Sequence, residues 1–228
     1  MKNHMIIIGG MGPQASLLLH AYLISNKYTD YRHPDEFPLI VHVSIPVPDF
    51  ISSPKSVATA IEMIENVGQS INTLDAVAIG LACNTAHLLL DQLPSLNTES
   101  FVSMIDAVTE EIHASGFKRV GLLASPYTIE SRLYHQALSV HNIEVIQPAK
   151  RDIDRLGEII RRVVAGETPS SLRAGLSEIA QKLEKHGVDC ILLGCTELPV
   201  VGIDSELPIV DSLASLSKAM LAKRSAAK

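Results

Sequence analysis

Short apolar runs alternate with longer amphipathic stretches along this 228-residue chain, and this alternation constrains the fold more than any other feature. Residues 191–193, Ile-Leu-Leu, are typical of a parallel strand that is covered on both faces. Residues 56–71 place Val57, Ile61 and Ile64 near helical spacing. Strands separated by helices of about 10 to 16 residues indicate β-α units. The sequence therefore predicts an α/β fold with mainly parallel sheets.

The same order of elements occurs twice in the chain. Two independent markers agree on the offset, because Pro13 and Pro126 stand 113 residues apart and Cys83 and Cys195 stand 112 apart. At roughly 150 residues per domain, a chain of this length has room for two small domains. An internal duplication is therefore expected.

The duplication predicts two pseudo-symmetric α/β lobes that face one another. We expect the first lobe at residues 1–116 and the second at residues 117–228. The C-terminal helix, 212–228, belongs to the second lobe or packs back on the first. The active site is expected in the cleft between the lobes, since ligands of parallel sheets bind beyond the carboxyl ends of the strands.

The composition excludes several classes of protein. A net charge of −6, 4% aromatic residues and no tryptophan disfavour a nucleic-acid binder, which needs a basic face and stacking platforms. No apolar run reaches the ~18 residues that span a bilayer, and the first apolar run is too short for a signal peptide. Three cysteines do not make a disulfide framework. We expect a cytoplasmic protein without a membrane or nucleic-acid partner.

Chemically active side chains follow the predicted strands. The four strand ends of interest are Gly9–Pro13, Cys83–Thr85, Ser125–Thr128 and Cys195–Glu197. A helix is expected to begin after each of Cys83 and Cys195, and the positive end of a helix favours a thiolate. A thiolate on one side of a substrate carbon and a thiol on the other form an acid–base pair that inverts a stereocentre.

Polar residues beside the two cysteines complete this chemistry. Asn84, Thr85 and Thr196 stand at the same helix starts, where backbone N–H groups and side-chain donors together form a carboxylate cradle. Cys190 lies inside an apolar strand and is expected to be a core residue.

Three motifs together resemble one known family. They are Gly9-Gly10-Met11-Gly12-Pro13, Ala82-Cys83-Asn84-Thr85-Ala86-His87 and Gly194-Cys195-Thr196-Glu197-Leu198. In this order they are similar to the signatures of the aspartate/glutamate racemase family, and the resemblance covers nearly the whole chain. It implies an amino-acid racemase that needs no pyridoxal phosphate or other cofactor, uses Cys83 and Cys195 as acid and base, and forms a homodimer.

The resemblance also implies substrate contacts. The residues it assigns to the substrate are Met11, Asn84, Thr85, Thr128, Thr196 and Glu197. Glu197 stands where related glutamate racemases have a histidine. It either assists Cys195, binds the substrate ammonium group, or is a solvated acid at a helix start.

Two departures leave the substrate open. Some aspartate-specific relatives carry an arginine where Phe50 stands and a lysine where Val164 stands, and both basic residues are thought to bind the distal carboxylate. Arg161 or Arg162 could substitute, or they could form a solvated helix face. The substrate is therefore aspartate, glutamate or another amino acid.

Other functions remain as alternatives. Gly10 to Ala15 fit a dinucleotide-binding pattern, but the acidic residue expected after the second strand is missing. Related enzymes of the same superfamily, such as maleate isomerases, hydantoin racemases and arylmalonate decarboxylases, are a second alternative. A non-catalytic amino-acid-binding module is the alternative from a different class. The histidines are dispersed and match no metal motif, so no metal site is expected, and His87 is a helix-packing residue or a partner of the site.

Overall fold

The computed structural model describes residues 4–25, 29, 31–49, 54–167 and 170–227. The chain divides into two compact units. The first contains residues up to Met104 together with Leu216 onward, and the second runs from Ile105 to Ser215. The division into lobes at residues 1–116 and 117–228 stays a prediction.

The first unit is built on a parallel four-stranded sheet of order β2-β1-β3-β4. Its elements are β1 (His4–Gly9), α1 (Pro13–Leu23), β2 (Leu39–Ser44), α2 (Pro54–Ile71), β3 (Ala76–Leu81), β4 (Phe101–Val102) and the start of α3 (Met104–Ala114). Short 3-10 helices occupy Pro34–Glu36, Asn72–Leu74, Thr85–Gln92 and Pro94–Leu96.

The second unit repeats this plan in a parallel sheet of order β6-β5-β7-β8. Its elements are the rest of α3, β5 (Arg119–Leu123), α4 (Pro126–Glu130), α5 (Leu133–Ser139), β6 (Glu144–Ile146), α6 (Lys150–Val164), α7 (Ser170–Glu184), β7 (Cys190–Leu193), α8 (Leu198–Val201), β8 (Ile209–Asp211) and the start of α9 (Ser212–Ala226). In both sheets the first strand of the unit lies between the second and third. The predicted α/β class and the repeated element order are confirmed.

Each core lies on both faces of its sheet. Residues 5–8 of β1 are fully buried, and so is nearly all of β3, as expected for parallel strands that carry continuous apolar runs. The part of α9 that belongs to the first unit packs on β3, since a Cβ at Gly80 would come within 2.6 Å of Met220 Sδ. No helix among the described residues is long and apolar enough to cross a membrane.

Several element details differ from the sequence expectation. The segment after Cys83 is a 3-10 helix rather than an α-helix. The segment between β5 and β6 forms two short helices rather than one continuous helix, because Arg132 between them adopts a left-handed conformation with φ of 57°. The helix after Cys195 has only four residues.

The turn after β1 depends on a glycine. Gly10 has φ of +96°, which favours glycine, and a Cβ there would overlap the backbone of Ile45. Ile45 in turn donates its N–H to the carbonyl of Gly9. The loop that carries Met11 is therefore held tightly against the end of β2.

Gly10→Ala is expected to lower the free energy of unfolding by about 2 to 4 kcal/mol, because it adds a steric overlap to an unfavourable backbone angle. Gly116→Ala is the matched control, since Gly116 also has positive φ but has open space around its Cα. That control should cost about 1 kcal/mol. Urea unfolding curves measure both, and equal losses would contradict the steric argument.

Candidate active site

Cys83 stands at the carboxyl edge of the first sheet. It follows β3 by two residues, and Met11 follows the neighbouring strand β1 by the same number. The Ala82 N–H donates to the Ile8 carbonyl at 2.8 Å, which fastens the end of β3 to β1. The sheet therefore brings Met11 and Cys83 to one edge, as the sequence predicts.

The side chains around Cys83 are polar but enclosed. Cys83 and Met11 are partly exposed, whereas Asn84 and Thr85 are buried. The partly exposed Cys83 thiol therefore lies next to an amide and a hydroxyl group that are shielded from solvent. Such groups interact more strongly with a developing charge than they would in water.

His87 holds the Cys83 loop through its ring. Its Nδ1 lies 2.8 Å from the Cys83 carbonyl oxygen, and its Nε2 accepts the Met104 N–H at 3.0 Å. The ring is buried and stacks at a tilt on Phe101. His87 is therefore a partner of the Cys83 loop, one of the two roles left open by the sequence.

Cys195 stands at the equivalent place in the second sheet. It follows β7, the third strand of its unit, after Gly194. A Cβ at Gly194 would meet the Tyr134 ring at 2.9 Å, so this glycine lets a fully buried tyrosine pack beside the cysteine. Burial raises the pKa of Tyr134 well above its ordinary value, and the neighbouring acidic groups of Cys195 and Asp211 raise it further.

A buried carboxylate accepts two hydrogen bonds beside Cys195. The Cys195 thiol donates to Glu197 Oε2 at 3.0 Å, and the Thr196 hydroxyl donates to the same oxygen at 3.1 Å. Glu197 is only 6% exposed, and this burial raises the pKa of its carboxyl group despite the two donors. The interpretation of Glu197 as a solvated acid is wrong, because the side chain is enclosed.

The raised pKa changes what the Cys195–Glu197 pair can do. A carboxylate with an ordinary pKa would hold a thiol proton only weakly. Burial raises the pKa of the Glu197 carboxyl group, so this carboxylate holds a proton more tightly than an exposed one, and its oxygen accepts a hydrogen bond from the Cys195 thiol.

Thr128 joins Cys195 at this edge of the second sheet. β5 and β7 are adjacent and in register, with Leu123 opposite Leu193. The Ser125 hydroxyl accepts the Thr128 N–H at 3.2 Å and donates to the Thr128 hydroxyl oxygen at 2.9 Å. Both side chains are buried. Ser125 thus positions a threonine that the sequence predicts to contact the substrate.

Cys190 lies in the middle of the second sheet and has different chemistry. It is fully buried in β7, and burial raises the pKa of its thiol to about 12. A thiol with this pKa is protonated at neutral pH and is a poor base. None of the three cysteines forms a disulfide.

The basic residues proposed for the distal carboxylate are otherwise engaged or placed at a surface. Arg162 bonds Glu167 through Nε at 3.1 Å and Nη2 at 2.8 Å. Arg161 is exposed, and Val164 is the exposed last residue of α6. Phe50 lies outside the described residues. Within the described part of the chain, no group of three histidine, cysteine or acidic side chains could hold a metal ion.

Two contributors to the site were not assigned a role from the sequence. Tyr134 occupies an ordinary buried position of an amphipathic helix, so nothing in the sequence distinguishes it from a core residue. Ser125 lies in a predicted strand-end motif and could have been found as the N-cap of α4, where serine is preferred.

Comparisons with known proteins place this architecture in a family. A family model described as Asp/Glu/Hydantoin racemase matches residues 8–220, so the chain belongs to this family. It is an amino-acid racemase by family. The broad specificity amino-acid racemase RacX of Bacillus subtilis (strain 168) is 25% identical over 93% of this chain and 94% of its own length.

Solved structures share the fold. The Picrophilus torridus aspartate racemase has 27% sequence identity and a TM-score of 0.82, with 98% of this chain and 94% of that chain covered. The glutamate racemase from Francisella tularensis subsp. tularensis SCHU S4, solved in complex with D-glutamate, has a TM-score of 0.71 and covers 97% of this chain and 81% of that chain. Its 17% identity shows the shared fold alone.

Glu197→Gln is expected to change how stability depends on pH. The pKa of Glu197 is raised in the folded protein, so the folded state binds this proton more tightly than the unfolded chain does. The wild type should be most stable relative to the variant below the ordinary carboxyl pKa of 4.5. This advantage should fall as pH rises through the raised pKa. Chemical unfolding between about pH 4 and pH 8 measures the difference.

Glu178→Gln is the control of opposite sign. Arg155 and Lys182 lower the pKa of the exposed Glu178 carboxyl, so there the wild type should gain relative stability as pH rises through the carboxyl range. The same slope in both variants would show that the effect at Glu197 does not come from burial.

Proposed function

We propose that this protein interconverts the L- and D-forms of an acidic amino acid, aspartate or glutamate, with Cys83 and Cys195 as the two acid–base groups. The observation that carries the proposal is the equivalent placement of the two cysteines. Each follows the third strand of its unit, at the carboxyl edge of sheets whose strand orders correspond. Family membership supports the reaction class.

The proposed reaction transfers two protons. One cysteine, as the thiolate, takes the proton from Cα and becomes a thiol, which leaves an electron pair delocalised into the substrate carboxylate. The other cysteine, as the thiol, donates a proton to the opposite face of Cα and becomes a thiolate. The configuration is inverted and no bond other than C–H and S–H is broken. The enzyme then holds the mirror protonation state and is ready for the reverse direction.

Glu197 is proposed to assist the second half of this exchange. Its carboxylate already accepts a hydrogen bond from the Cys195 thiol, with 3.0 Å between Sγ and Oε2. Since burial raises its pKa, it can take that proton when Cys195 must act as the base and return it when Cys195 must act as the acid. We prefer this role to binding of the substrate ammonium group, because Glu197 Oε2 already accepts hydrogen bonds from the Cys195 thiol and the Thr196 hydroxyl.

The intermediate needs stabilisation because an amino-acid α-proton is far less acidic than a thiol. Preorganised donors at each sheet edge supply it in the proposal. Asn84 and Thr85 lie beside Cys83, and Thr128 and Thr196 lie beside Cys195, all buried. A single well-placed donor of this kind is worth about 3 kcal/mol at the transition state.

A racemase of non-acidic amino acids is the second candidate. Arg162 is committed to Glu167, and Val164 stands where some aspartate-specific relatives carry lysine. The similarity to a broad specificity amino-acid racemase points the same way. The substrate test therefore has to include neutral amino acids as well as aspartate and glutamate.

The test is an amino-acid panel in D₂O, with Cα exchange followed by NMR and inversion followed by chiral chromatography. The wild type should incorporate deuterium at Cα and invert at least one acidic amino acid. Cys83→Ser and Cys195→Ser should each lower inversion by at least about 1,000-fold while remaining folded, since a serine hydroxyl is far less acidic than a thiol.

Cys190→Ser is the matched control, since Cys190 is the first residue of β7 and Cys195 follows the end of that strand. The folded variant should retain activity. Near-native turnover by Cys83→Ser or Cys195→Ser would overturn the two-cysteine assignment. Exchange with neutral amino acids alone would favour a racemase of non-acidic amino acids. Exchange with no amino acid would reject the proposed racemase activity.

The active form is proposed to be a homodimer in a reducing compartment such as the cytoplasm. The cysteines form no disulfide, as the proposed chemistry requires, and a reducing compartment keeps them in the thiol form. Support for the dimer comes from α1 and the residue that caps its C-terminus, since Leu17 and the capping Ile24 are 62% and 42% exposed and stand seven residues apart. Exposed apolar helix faces of this kind mark protein contacts.

Leu17→Lys is expected to convert the dimer to a monomer, because it places a charge in the proposed contact. Size-exclusion chromatography with light scattering measures the mass. Val140→Lys is the control, since Val140 is 77% exposed on a different helix and should leave the mass unchanged. A wild-type monomer, or a dimer that persists in Leu17→Lys, would contradict this assignment.

A further inference from the structure

The tautomer of His87 follows from its two backbone partners. The Met104 N–H can only donate, so Nε2, at 3.0 Å, is the nitrogen without a proton. Nδ1 then carries the hydrogen and donates it to the Cys83 carbonyl at 2.8 Å. His87 in this arrangement is neutral, and each ring nitrogen holds a different backbone segment.

The backbone of Cys83 is held from both sides. Its N–H donates to the Leu81 carbonyl at 2.9 Å. In an α-helix its carbonyl would accept the backbone N–H four residues later. Here the His87 N–H instead bonds the Asn84 carbonyl at 3.1 Å, within the 3-10 helix, and the His87 ring takes the Cys83 carbonyl.

We propose that His87 is a positioning residue for Cys83, which sets where the thiol lies and how readily it ionises. The Nδ1–H fixes the peptide that follows Cys83 and thereby the direction in which the side chain leaves the backbone. It also offsets the negative end of a carbonyl dipole that lies next to the sulfur, which favours the thiolate. The catalytic consequence rests on the proposed function of Cys83, whereas the effect on the thiol itself does not.

Two amide variants separate the two contacts. The side-chain nitrogen of His87→Asn lies near the position of Nδ1, so this variant can retain the donor to Cys83 and loses the acceptor for Met104. The side-chain oxygen of His87→Gln reaches farther, to the position of Nε2, so this variant can retain the acceptor and loses the donor. A purely structural role would make both variants similar in activity per folded molecule.

The experiment measures the pH dependence of Cys83 alkylation by iodoacetamide, with the modified peptide identified by mass spectrometry. Cys83 is partly exposed whereas Cys190 and Cys195 are buried, so the label should report on Cys83 first. His87→Gln should lower the Cys83 alkylation rate at neutral pH about 10-fold, because the thiol pKa rises by about one unit. Its kcat should fall about 10- to 100-fold with little change in KM.

His87→Asn should alkylate at the wild-type rate and keep kcat within about 3-fold, although its melting temperature is lower because the Met104 contact is lost. His113→Gln, a change at an exposed histidine of α3, is the control and should change neither readout. Equal loss of alkylation and kcat in His87→Asn and His87→Gln, or wild-type alkylation in His87→Gln, would overturn the proposal. The expected alkylation pattern in a protein that racemises nothing would support the positioning role and reject the proposed function.

Discussion

The parallel sheet is the constraint on which the rest of this structure depends. All strands of a unit end at the same edge, so residues far apart in sequence become neighbours wherever they directly follow a strand. Met11 and Cys83 lie at one sheet edge in this way in the first unit. In the second unit the turn at Ser125, which begins the helix of Thr128, lies at the same sheet edge as Cys195. Because the two sheets have corresponding strand orders, the chain places two cysteines in equivalent positions without any local similarity of their surroundings.

Position along a strand decides the chemistry of a cysteine in this protein. Cys190 and Cys195 bracket the same strand, yet burial among apolar groups raises the pKa of Cys190 to about 12 whereas Cys195 faces a carboxylate. Glu197 shows the matching effect on an acid, since its enclosure raises the carboxyl pKa toward the range of a thiol. A carboxyl group with a raised pKa is a better proton acceptor at neutral pH than an exposed one, and this favours the proton exchange with Cys195 that we propose.

Much of the fold could be predicted from the sequence because its strands are continuous apolar runs and its turns carry glycines. The sequence could not predict the 3-10 helix after Cys83. That geometry depends on the His87 ring, which binds Met104 at a distance of 17 residues along the chain. The sequence left three roles open for Glu197, of which assisting Cys195 was one. It shows that the two residues are close in the chain, but it does not show the direction in which the carboxylate points. Tyr134 was missed since its packing on Gly194 is a tertiary contact.

The two cysteines share a fold position but not a proton environment. Cys83 is held by a neutral histidine through its own carbonyl, whereas the Cys195 thiol itself bonds a buried carboxylate. Free L- and D-enantiomers have equal free energies in water, so a racemase must have the same kcat/KM in both directions whatever its residues are. Unequal proton affinities at the two sulfurs can therefore appear only in kcat and KM taken separately. Duplication gives the two cysteines equivalent positions in their own sheets. In the reaction that we propose, the divergence of the two loops sets how strongly each enantiomer is bound before it reacts.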